Sequence, residues 1–140
     1  MNNYTSFNYE DPVEVTISST TDIQEVKIKA TPGTDRFVGL TMHVSDRNGL
    51  DITDIVNTAV LETPMTVQGE QILPEDFDLR LLYSGLEVAP DERYWSDINA
   101  PAGENEIKFK VSCSAATSPI KLKFSARTVY PNDECDQNES

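Results

Sequence analysis

A chain of 140 residues suits one domain and is long enough to bury a core without disulfide staples. With 24 acidic and 11 basic residues its formal charge is -13, which repels polyanions at long range and disfavours nucleic acid and anionic membrane as partners of the surface as a whole. Apolar residues make up 38% of the chain and fall in short runs, which excludes global disorder, collagen and coiled coils, and no run approaches the roughly 20 residues that span a bilayer.

Residues 1–11 are polar yet carry Tyr4, Phe7 and Tyr9. Aromatic side chains supply large contact area, so this stretch is either tucked along its own domain or an arm that docks on a neighbouring subunit. It lacks the charged and apolar regions of a secretory signal, which implies a protein made and left in the cytoplasm.

From Pro12 the chain alternates. Val13, Val15 and Ile17 face Glu14, Thr16 and Ser18; Val26, Ile28 and Ala30 face Glu25, Lys27 and Lys29; Val38, Leu40, Met42 and Val44 face Gly39, Thr41 and His43. A period of two is that of half-buried strands. Asn48-Gly49 accepts the positive φ angles of a type I′ turn, which predicts a hairpin leading into a fourth strand through Leu50 and Ile52. Ala59-Val60-Leu61 and Met65-Thr66-Val67 read as one or two short edge strands, and the spacing of Phe77, Leu79, Leu81 and Tyr83 predicts a strand over residues 77–84. Residues 85–103 hold Pro90, Pro101 and the single tryptophan Trp95, and read as a long connection in which Tyr94, Trp95 and Ile98 cap one end of the core. No helix of useful length is expected.

The strongest pattern lies between Glu106 and Tyr130. Ile107, Phe109, Val111 and Cys113 alternate with Lys108, Lys110 and Ser112; after Ala115 to Pro119, Ile120, Leu122, Phe124 and Ala126 alternate with Lys121, Lys123, Ser125 and Arg127. The two runs predict one antiparallel hairpin, apolar on one side and basic on the other. Lys27 and Lys29 extend that basic stripe if their strand lies beside it. Cys113 is placed in the core and Cys135 in the acidic tail 131–140, so the two cysteines form no disulfide framework.

These elements predict an all-β fold: a single antiparallel β-sandwich over residues 12–130. A jelly roll is favoured over an immunoglobulin-like topology, because long connections interrupt the pattern at 57–76 and 85–103 and the cysteine-tryptophan order of antibody domains is missing.

Parts for catalysis are not evident. His43 is the only histidine, and the chain has no Gly-x-Ser-x-Gly elbow, phosphate loop, dinucleotide fingerprint or zinc spacing. Acidic pairs such as Asp76 with Asp78, or Asp91 with Glu92, are what an acidic chain supplies in any case. Asp46, Asn48, Asp51 and Asp54 surround a glycine with oxygen ligands, but without EF-hand spacing, and a hairpin turn with solvated acids explains the same residues without a cation. Neither enzyme, metal nor cofactor is expected.

The expected function is that of a non-enzymatic structural protein. It would work by contact with other protein subunits in a homo-oligomer or larger particle, as a virion component such as a capsid, decoration or tail-associated subunit. Tyr4, Phe7, Tyr9, Lys108, Lys110, Lys121, Lys123 and Arg127 are the candidate partner contacts. A lysine-lined solvent face that discourages edge pairing is the plainer account of the same cations. The alternative function is a carbohydrate-binding or adhesin-like module at the cell surface, with Tyr83, Tyr94 and Trp95 as the sugar platform.

Overall fold

The computed structural model of the chain describes residues 7–74, 77, 79, 83 and 96–131. The described chain is mostly β. Its strands are β1 (Asn8–Tyr9), β2 (Val13–Ile17), β3 (Gln24–Lys29), β4 (Arg36–Asp46), β5 (Ala59–Leu61), β6 (Met65–Val67), β7 (Glu70–Leu73), β8 (Ser96–Pro101), β9 (Glu106–Cys113) and β10 (Ile120–Val129), with a helix α1 (Ile52–Thr58) between β4 and β5.

The strands form two antiparallel sheets whose apolar faces share one core, an arrangement compatible with a β-sandwich. In one sheet β1 and β2 lie end to end along β10, followed by β4 and β8. The register slips by one residue between Tyr9↔Arg127 and Val13↔Phe124, and Pro12, which has no N–H to offer a ladder, sits in that break. In the other sheet β3 pairs with β9, β5 and β6 lie end to end along β9, and β7 pairs with β6. The β6–β7 hairpin turns through Gln68 and Gly69, both at positive φ as a type I′ turn requires.

Apart from that hairpin and the two interrupted strands, each step along the chain from one strand to the next passes to the opposite sheet. The expected β9–β10 hairpin therefore does not form. Both strands alternate as the sequence implies, with Ile107, Phe109, Val111, Ile120, Leu122 and Phe124 in the core. They belong to different sheets, and they meet through the interior, where the Phe109 and Phe124 rings pack edge to face at 5.1 Å.

Other expectations change for local reasons. The fourth strand through Leu50 and Ile52 is instead α1: the Asp51 side chain caps it by accepting from the Thr53 N–H at 2.9 Å, and Ile55 and Val56 are buried. Part of the expected connection 85–103 is β8, an edge strand on which Pro101 is tolerated. Register shifts beside Val38 leave both Phe37 and Leu40 fully buried. Of the strand expected over 77–84, Phe77 is half-buried and its carbonyl accepts from the Leu61 N–H at 3.3 Å, Leu79 lies in a 3₁₀ turn and Tyr83 makes an isolated parallel bridge with Met42; the remainder lies outside the described residues. Cys113 is buried and free as expected, its sulfur 3.2 Å from the Thr58 hydroxyl at the end of α1.

Candidate interaction surfaces

Because β9 and β10 lie in different sheets, the basic residues separate onto two outward faces. On the β9 sheet, Lys27, Lys29, Lys108 and Lys110 are exposed. Lys27 stands directly opposite Lys108, while Glu25 faces Lys110 and Lys29 faces Glu106. Lys27 and Lys29 therefore lie beside the β9 lysines, and extend that half of the divided stripe alone. Glu106 also reaches Lys108 at 3.8 Å, and Glu62 accepts a hydrogen bond from the Ser112 hydroxyl.

The outward face of the β10 sheet carries Lys121, Lys123 and Arg127. Here cross-strand neighbours balance the charge: Lys123 lies between Glu14 and His43, and Lys121 between Thr16 and Asp46. His43 is on the outward side as expected, yet only 8% exposed. Arg127 lies over Gly39, where a Cβ would stand 2.6 Å from its Nε, and its guanidinium sits 4.0 Å from the centre of the Phe7 ring. Phe7 and Tyr9 thus run along their own domain, Tyr9 beside Arg127 through β1. Tyr4 lies outside the described residues.

A site that the alternation pattern does not mark joins the two sheets at one end. Glu10 is buried, and its carboxylate accepts hydrogen bonds from Asn8 Nδ2 and the Thr31 N–H, each at 2.9 Å, and from the Thr31 and Thr128 hydroxyls, each at 2.8 Å. These donors come from β1, the turn after β3 and β10. Beside the carboxylate, a cleft of about 370 Å³ between the start of β2 and the end of β3 is lined by Asp11, Pro12, Val13, Lys27, Lys29 and Ala30 along with Glu10 and Thr31. The one sequence signal is an acid two residues from Asn8, in a polar stretch that carries three aromatics.

The acids near the Asn48-Gly49 turn have local tasks. Asp46 accepts from the Asn48 N–H at 2.9 Å and Asp51 caps α1, and no cluster of three metal-ligating side chains occurs among the described residues. Asp22 is comparable: the Ser18 N–H at 2.8 Å, then the Gln24 side chain at 2.9 Å, hold its carboxyl below the usual carboxylate range. Of the suggested sugar platform, Tyr83 is half-buried beside the core, while Tyr94 and Trp95 lie outside the described residues, as do the acid pairs Asp76/Asp78 and Asp91/Glu92. No protein-family model, curated protein or solved structure matches the chain.

Proposed function

We propose that the chain is a non-enzymatic assembly subunit with a jelly-roll sandwich, acting through protein-protein contacts as a virion component of the capsid, decoration or tail-associated kind. The observation that carries this reading is the strand pairing. With β1/β2 and β5/β6 each taken as one interrupted strand, the chain pairs first with last (β2·β10), second with next-to-last (β3·β9), and so inward through β4·β8 to the β6·β7 hairpin. That nesting is one long hairpin rolled over on itself, the double Greek key of capsid and lectin domains. The step from such a topology to assembly is fold-level analogy. It is supported by charged outward faces on both sheets, which suit oriented contact between subunits.

Light scattering coupled to size exclusion, run on the full chain over a range of concentration and salt, tests the proposal. A discrete oligomer or particle that dissociates as salt rises is the expected result, and Lys121→Glu with Lys123→Glu should weaken it. A chain that stays monomeric at every concentration and salt, or that binds one glycan selectively on an array, would overturn the assembly reading.

A further inference from the structure

We propose that the acidic carboxyl-terminal segment, residues 132–140, docks in cis on the outward face of the β9 sheet, along Lys27, Lys29, Lys108 and Lys110. Lys27 and Lys108 are direct cross-strand neighbours, and like charges in that relation destabilise a sheet. Glu25 and Glu106 stand opposite Lys110 and Lys29, Glu106 also reaches Lys108 at 3.8 Å, and Asp11 shares a cleft with Lys27 and Lys29. On β3 and β9 themselves the outward side therefore carries four lysines against two glutamates, a local basic excess in a chain of net charge -13. An acidic extended segment is complementary to such a patch.

The chain carries one. Residues 132–140 include Asp133, Glu134, Asp136 and Glu139 and no basic residue. Their point of departure is also suitable. The Val129 carbonyl accepts the Asp35 N–H at 2.7 Å, and the Tyr130 ring lies beside Gly33, in the turn that leads out of β3. Pro131 thus leaves the sandwich at the end of β3 that bears Lys29. Nine extended residues reach about 30 Å, and the six residues of β3 span about 20 Å, so the segment can run back past Lys29 and Lys27 to Lys108. Tethering gives it an effective concentration on the order of millimolar, so an anionic partner has to displace it to reach these lysines. The inference concerns a single molecule and stands or falls separately from the assembly reading.

Cys135 provides the handle for the test, because the other cysteine, Cys113, is buried. A nitroxide attached to Cys135 of the isotopically labelled full chain should broaden the amide resonances of Lys27, Lys29 and Lys108 at low salt. The broadening should disappear near 1 M salt, where the Debye length is about 3 Å. It should also be lost in the Lys27→Glu/Lys108→Glu variant, whose remaining resonances report that it is folded. Three results would each overturn the proposal: no broadening at low salt, broadening centred instead on Lys121 and Lys123, or broadening indifferent to both salt and the double variant. A fourth is broadening seen only when spin-labelled and isotopically labelled chains are mixed, since contact would then run between molecules.

Discussion

Truncating Glu10 to alanine removes an acceptor shared by donors from three separate segments, at a position only 7% exposed. A net hydrogen bond to a charged group contributes about 1.5–3 kcal/mol, so four treated as independent would give roughly 6–12 kcal/mol. Two effects reduce that figure. Asn8 Nδ2 also reaches the Thr31 and Thr128 hydroxyls at 2.9 and 3.2 Å, and the Thr128 hydroxyl lies 3.4 Å from the Asn8 carbonyl, so these groups keep partners without the carboxylate. Alanine also relieves the desolvation cost of a buried carboxylate, several kcal/mol by itself. The Thr31 N–H is then left as the principal orphan, and the expected loss is about 3 kcal/mol. Equilibrium urea unfolding should show this as a lower midpoint at unchanged slope. Glu14→Ala is the control, because Glu14 is exposed and accepts from the Ser45 hydroxyl at 2.6 Å; it should stay within about 0.5 kcal/mol of the parent. If Glu10→Ala and Glu14→Ala were equally mild, Glu10 would not be a tie between the sheets.

At Gly39, alanine places a methyl group into Arg127 and should cost about 1–2 kcal/mol, through the displaced side chain and its contact with Phe7. In a double-mutant cycle most of that cost should vanish in an Arg127→Ala background; full additivity would mean that the glycine serves the backbone instead. Asp22 bears on pH. Its carboxyl is held below the ordinary range, so its contribution to the 18–24 turn is complete at neutral pH and is lost as pH falls through the lowered value. A side-chain NMR titration should therefore place its midpoint below that of Asp in an unfolded peptide, and an unshifted midpoint would remove the turn's acid sensitivity.

The strands that alternation identifies, β2, β3, β4, β9 and β10, are those with one face committed to the core, since only there does the sequence have to alternate. Alternation does not say which strand comes next to which. Ile120 to Ala126 would read identically whether β10 folded beside β9 or crossed the core to the other sheet, and it does the latter. The helix was legible in principle: Asp51 as cap, with Ile52, Ile55 and Val56 at helical spacing, but the preceding Asn48-Gly49 turn favours a hairpin. In β8 the run Ser-Asp-Ile-Asn-Ala-Pro has one residue with strand propensity, and pairing with β4 supplies what the local sequence does not. Glu10 was hidden because burial of a carboxylate depends on donors more than 20 residues away, among them Thr31 and Thr128.

Sheet crossing also decides how the charges can be used. On a single ribbon, Lys108, Lys110, Lys121, Lys123 and Arg127 would have formed one patch for one acidic partner. In separate sheets they cannot form that single patch. The strand edges are poorly suited to growth by strand addition: β8 carries Pro101, β2 is preceded by Pro12, β7 is followed by Pro74, and β3 presents Lys27 and Lys29. For the assembly proposed above, that leaves contacts through the sheet faces, and with the β9 face taken by the carboxyl-terminal segment the β10 face is the one open to a neighbour.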